Sequence, residues 1–114
     1  MHASRKYLIR WSIACVLSMY IAPASAGKPV FELVIRDHLF YPSELEVPAH
    51  QKVKLLVINQ DATPEEFESY ELNREKVILG NRKAVIFIGP LKPGRYPFFG
   101  EFHMSTALGV IIAK

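Results

Sequence analysis

Residues 40–61, FYPSELEVPAHQKVKLLVINQD, decide the fold. Leu45 and Val47 alternate with Glu44 and Glu46, the period of two expected of a strand with one wet face. Pro48-Ala49-His50-Gln51 then forms a tight connection, and KVKLLVIN, 52–59, follows as a run rich in β-branched residues that ends on Asn59. Two short strands joined by a turn predict β structure, and the same grammar extends to both sides. Upstream, VFELVIR, 30–36, places Phe31, Leu33 and Ile35 on one face and Glu32 on the other. Downstream, EFESYEL (66–72), AVIFI (84–88), RYPFF (95–99) and ALGVIIA (107–113) read as further strands. Lys92-Pro93-Gly94-Arg95 suits a type II turn. Seven or eight short strands separated by turns predict an all-β sandwich or barrel.

Strands that reverse direction at each turn sort the connections into two ends. The connections at 37–42, 60–66 and 100–106 are expected to share one end, with His50 and the Pro93-Gly94 turn at the other. The longer polar stretches 61–65 and 73–82 are expected to be irregular, where sites tend to sit.

The N-terminus has a different composition. Residues 1–26 carry Arg5, Lys6 and Arg10, then an apolar stretch from Trp11 to Ile21, then Ala24-Ser25-Ala26. A basic start, a short apolar middle and small residues before a cut form the layout of a secretory signal peptide. The apolar stretch is about eleven residues, well short of the roughly twenty that span a bilayer. Cleavage is expected after Ala26, leaving one domain over 27–114. An uncleaved anchor or a lipid attached at Cys15 are the rival readings. Loss of Arg5, Lys6 and Arg10 takes the 14 basic residues to 11, equal to the 11 acidic ones. The alkaline pI therefore gives no support for nucleic-acid binding. The single cysteine, Cys15, leaves as well, so no disulfide is expected.

The order of these pieces resembles the cupredoxins, Greek-key β-sandwiches in which a Phe, a Pro and an alternating strand lead to a Pro-Ala-Gly turn and a strand ending in Asn. LKPGRYPFFGEFHMSTALGVIIAK, 91–114, resembles the closing segment of that family, where Pro-Gly and Tyr precede the ligand loop. Blue cupredoxins hold copper with His, Cys, His and Met. Carried over by position, the first His falls on Glu65 or Glu66, the Cys on Gly100 and the second His on His103. Thr106 and Met104 lie near the place of the Met. With one of four ligands clearly retained, a blue centre is not expected, since its trigonal site depends on a copper–thiolate bond. PEEFESYELNREKV and PGRYPFFGEF are similar to the cupredoxin-like proteins of bacterial iron uptake, the EfeO N-terminal domain and the stand-alone periplasmic FtrB type. This resemblance implies a periplasmic component of a ferrous iron uptake system that binds a copper or iron ion. An iron permease is the implied partner, and Fe(II) oxidation before transport the implied chemistry. In that group cysteines usually occupy the first loop and the Gly100 position; here Phe40 or Tyr41 and Gly100 stand there.

The candidate metal ligands are Glu66, the preferred one, with Glu65, His103, Met104 and His38. Glu65, Glu66 and Glu68 read either as a solvated acidic face or as hard oxygen donors suited to iron or Cu(II). His103 reads as a ligand or as the cap of a core edge, and Met104 as a soft donor or ordinary packing. His38 is an exposed loop histidine or a ligand. Glu101 is a weaker candidate, and His50 stands at a turn with unusual backbone, where His is tolerated. No nucleophile–base arrangement or phosphate loop is present. A degenerate cupredoxin that docks on a permease without metal, or a copper-delivery protein, are the alternatives.

Overall fold

The structure, a computed structural model, describes residues 27–114. The expected leader and Cys15 lie outside the described residues. Among the described residues nine strands form two sheets. They are β1 (Val30–Arg36), β2 (Leu39–Tyr41), β3 (Glu44–Val47), β4 (Val53–Asn59), β5 (Glu65–Ser69), β6 (Arg74–Ile78), β7 (Lys83–Ile88), β8 (Gly94–Gly100) and β9 (Leu108–Ala113). One sheet runs β2-β1-β4-β7 and the other β3-β9-β8-β5-β6. The all-β sandwich is as the sequence predicts, but the count of seven or eight falls short. β2 is three residues long, too short to show a period. β6 is an edge strand whose half-buried Arg74 and exposed Glu75 and Lys76 read as a polar loop. Not every pairing is antiparallel either: β1 pairs with β4, and β3 with β9, in parallel.

The core forms where the alternating faces meet. Leu33, Ile35, Leu55, Val57 and Ile88 come from one sheet, and Phe67, Phe98 and Ile111 from the other, all essentially without solvent contact. Burying a side chain of this size stabilises the fold by roughly 1.5–3 kcal/mol. Phe40, Phe67 and Phe98 cluster under one end of the sandwich. Phe98 lies edge-on to Phe40 at 4.9 Å between ring centroids and against Phe67 at 5.0 Å. Such pairs add about 0.5–1.5 kcal/mol beyond their buried area. Each of these rings stands two residues from a position of interest: Phe40 from His38, Phe67 from Glu65, Phe98 from Gly100. The aromatic cluster is thus the floor under three different connections.

Those connections do share one end. The amides of Asp37 and His38 in the β1–β2 turn donate to Asp61 in the β4–β5 loop, and the amide of Phe102 in the β8–β9 connection donates to Glu65. At the opposite end the amide of His50 donates to the carbonyl of Leu91 (2.8 Å). His50 has φ 65°, the unusual backbone expected of that turn.

Candidate metal centre

β5 enters the site end with three glutamates in four residues, and the period of two separates them. Phe67 is wholly buried, so Glu65 shares its inward face while Glu66 and Glu68 point to the other side. Glu65 is 1 % exposed. A carboxyl group buried to that degree needs partners, because each lost interaction with water is otherwise uncompensated. Glu65 has three. Its Oε1 accepts the amide N–H of Glu66 (3.0 Å) and of Phe102 (2.9 Å). Its Oε2 lies 2.6 Å from Nδ1 of His103. With Oε1 already accepting two amides, the pair is read as His103 Nδ1–H donating to Oε2, which leaves Nε2 of His103 without a hydrogen bond to the described residues.

His103 ends a short 3-10 turn, Glu101–His103, and its carbonyl accepts the amides of Thr106 (3.1 Å) and Ala107 (2.9 Å). The β8–β9 connection is therefore closed on itself beneath the imidazole. His38 covers that imidazole: the two rings stack 3.5 Å apart and within 10° of parallel. His38 reaches this place from the β1–β2 turn, where Asp37 (φ 55°) and His38 (φ 59°) both adopt the left-handed conformation. A two-residue hairpin loop with both central residues at positive φ is the type I′ geometry, which favours Asn-Gly or Asp-Gly over Asp-His.

Asp61 holds this turn. Its Oδ1 accepts the amide of Asp37 (2.8 Å) and its Oδ2 the amide of His38 (3.0 Å), with Nδ1 of His38 3.4 Å from Oδ2. Burial pushes the Asp61 carboxyl up, but the two amides and the neighbouring imidazoles outweigh it and hold the pKa below the usual aspartate value. Asp61 is fixed in turn by Asn59. The Asn59 Oδ1 accepts the Asp61 amide (3.0 Å), and its Nδ2 donates to the carbonyls of Thr63 and Ile78.

Gly100 explains the missing cysteine position. A Cβ there would lie 2.6 Å from Cδ of Glu65 and 2.7 Å from Cβ of Ala107. No side chain fits while Glu65 holds its place: the carboxylate occupies the volume that a thiolate at residue 100 would need. A blue copper set therefore does not fit this chain. A carboxylate oxygen with imidazole nitrogens is a different donor set, of the kind that suits Cu(II) or iron. Glu65 Oε2 and His103 Nδ1 bring two such donors together at one end of the sandwich, and His38 stacks on the imidazole; the group of three carboxylate or imidazole donors within 4.8 Å of one another among the described residues is Glu66, Glu68 and Glu75.

The other candidates lie elsewhere. Glu66, expected as the first choice, stands outside this group, because it follows Glu65 by one residue on a strand. Its neighbours are Glu68 and Glu75; potential donor atoms of these three lie within 4.8 Å of one another on the solvent side. Glu68 and Glu75 are direct cross-strand partners. Partial desolvation, then the Glu101 carboxyl with Glu75 and Glu66, push the Glu68 pKa up. Glu101 thus sits with the outer glutamates and not with His103. Met104 is 54 % exposed, at the end of the 3-10 turn. Asp61 and Asn59 are the site-building residues that sequence reasoning missed. Their only signal is the polar Asn59-Gln60-Asp61 ending of an otherwise apolar strand.

Comparison with known proteins places this architecture. Residues 9–113 match the cupredoxin-like domain family. An uncharacterized protein of Rickettsia prowazekii (strain Madrid E) is 47 % identical over 83 residues, which is 73 % of this chain and 66 % of that protein. The chain thus spans just under two thirds of that relative's length. Among solved structures, auracyanin A, a blue copper protein from Chloroflexus aurantiacus, superposes with a TM-score of 0.66 at 15 % identity, covering 77 % of this chain and 100 % of that one. Auracyanin from Roseiflexus castenholzii gives 0.63 at 14 % identity (79 % and 99 % covered), and amicyanin from Paracoccus versutus 0.58 at 13 % (81 % and 86 %). At these identities the likeness is one of fold. With the family match spanning nearly the whole sequence, the chain belongs to the cupredoxin-like domain family.

Proposed function

We propose that this protein is an exported, metal-binding cupredoxin-like component of a ferrous iron uptake system, holding a copper or iron ion through Glu65 and His103 with His38 beside them. The observation that carries the proposal is the buried Glu65 carboxylate facing Nδ1 of His103 at 2.6 Å; the family resemblance matches both positions to copper ligands. A metal ion held by Glu65 Oε2 and His103 Nδ1 would take the place of the proton that these atoms share and release it to solvent, as metal binding to protonated ligands generally does. The backbone amides of Glu66 and Phe102 orient the carboxylate, and the stacked His38 shelters the imidazole from water on one face. A copper ion held there would supply a one-electron acceptor for Fe(II), the cargo of the system. The leader at 1–26 supports export to the periplasm, and no helix among the described residues is long and apolar enough to cross a membrane. The iron permease and the role in iron uptake rest on the similarity of 64–77 and 93–102 to the FtrB and EfeO proteins.

The test combines binding and uptake. Calorimetric titration of the purified protein with Cu(II), and with Fe(II) under nitrogen, is expected to give one site that His103→Ala abolishes. Cells that depend on this protein for Fe(II) uptake are expected to lose uptake with the same variant. If neither metal binds, the proposal fails.

A second reading is favoured by the closeness of the same pair. Glu65 and His103 already satisfy each other, so the site is complete as a structural hydrogen bond, and the protein is then a degenerate cupredoxin that docks on a permease without metal. Iron uptake that survives His103→Ala selects this alternative.

A further inference from the structure

The β1–β2 turn is built against its own local preference. Asp37 and His38 both occupy the left-handed region, which costs an L-residue roughly 1–2 kcal/mol, although Asp and His tolerate it better than most. Backbone strain of this kind persists where the surroundings over-determine it. Here they do so from two sides. Asp61 spends one carboxylate oxygen on each of the two turn amides, 23 and 24 residues away in sequence. From the β8–β9 connection, the hydroxyl of Thr106 donates to the carbonyl of His38 (2.8 Å). The product is the parallel stack of His38 on His103. Asp61 makes no hydrogen bond to Glu65 or His103 among the described residues; apart from its through-space charge interaction with His103, it acts on the site through the turn that carries His38.

We propose that Asp61 is a positioning residue: its carboxylate fixes the Asp37-His38 turn so that the His38 imidazole lies stacked on His103, and Thr106 is the second pin of the same turn. The part of this that concerns metal affinity rests on the proposed metal-binding function; the part that concerns the stack does not.

The experiment is a double-mutant cycle of Asp61→Ala and His38→Ala in the full chain, read first without metal by NMR of the histidine ring protons. A ring stacked at 3.5 Å shifts its neighbour's resonances upfield, so His38→Ala moves the His103 ring signals downfield. Asp61→Ala is expected to move them in the same direction, and to add only a small through-space charge effect in the His38→Ala background. Asp61→Asn keeps one amide acceptor of the two and is expected to give an intermediate shift. Thr106→Val provides the same test through the other pin, should Asp61→Ala fold poorly. His103 signals that stay in place in Asp61→Asn and Thr106→Val, or an Asp61→Ala shift as large without His38 as with it, overturn the proposal. A second reading titrates Cu(II) into the same four proteins. Asp61→Ala is expected to weaken binding about tenfold, in the range seen when the group orienting a metal ligand is removed, and to have no effect once His38 is absent. Equal affinity in Asp61→Ala and parent overturns the metal part alone. A parent that binds no Cu(II) defeats the functional reading instead, and leaves the ring-shift result to decide the role of Asp61.

Discussion

The two faces of β5 carry the same side chain into opposite environments. Glu65 is buried, with three hydrogen-bond partners; Glu66 and Glu68, one and three residues on, stand among other carboxylates at the surface. Chemically the three are identical, and only the pleat separates them. The inner face shows a carboxylate whose surroundings are all donors, so its oxygens are oriented. The outer face shows Glu68 among carboxylates that are acceptors like itself, and with partial desolvation they raise the cost of ionising it. The proposed function uses the oriented carboxylate beside the imidazole, not the half-buried Glu66 and Glu68 on the outer face.

Substitution separates the two faces most sharply at Glu65. Glu65→Ala leaves the amides of Glu66 and Phe102 and the imidazole of His103 without their acceptor, and is expected to cost about 3–5 kcal/mol, as breaking a buried pair does. Glu66→Ala should stay within about 0.5 kcal/mol. Urea denaturation compares them directly, and equal losses would mean that the inward face is misplaced.

Gly100 sharpens the contrast from the neighbouring strand. Gly100→Ala puts a methyl group 2.6 Å from the Glu65 carboxyl carbon and is expected to cost roughly 1–3 kcal/mol by overpacking. In the Glu65→Ala background part of that cost should disappear, because the clash with Glu65 has gone while the one with Cβ of Ala107, at 2.7 Å, remains. Additive losses would show that Gly100 is required for some other reason. The same coupling accounts for a cupredoxin sandwich without its cysteine: residue 100 and Glu65 compete for one volume.

The smallest effect belongs to the outer face, where the raised pKa of Glu68 fixes the sign. A carboxyl that binds its proton more tightly in the folded state destabilises the fold at neutral pH and ceases to do so once protonated. Glu68→Gln should therefore raise the melting temperature by a few degrees at most at pH 7. The gain should shrink as pH falls through the folded pKa and vanish below about 4.5, the ordinary glutamate value. A gain that persists at pH 4 would assign the effect to something other than Glu68 ionisation.

The sandwich was legible because its strands repeat with period two over runs of five to seven residues, and because Pro-Gly and Pro-Ala mark the turns. The strands that escaped, β2 and β6, are a three-residue run and a polar edge, where burial does not write a pattern into the residues. That His38, Glu65 and His103 share one end followed from strand direction alone. The sequence favoured Glu66 over Glu65 without separating their faces: Glu65 faces His103 and Glu66 faces Glu68 and Glu75, and Phe67 carried the signal, since on a strand the residue two before a core phenylalanine faces inward. Asp61 was not legible. Its role depends on a turn whose residues, Asp37 and His38, are not those a type I′ turn prefers, and on contacts 23 and 24 residues apart in sequence.

The most direct measurement of the central claim is the Cu(II) electron paramagnetic resonance spectrum of the protein beside those of Glu65→Gln and Glu66→Gln. The account predicts one nitrogen- and oxygen-coordinated copper without an intense thiolate band in the visible region, lost or altered in Glu65→Gln and unchanged in Glu66→Gln. A signal that depends on Glu66 and ignores Glu65 would contradict it.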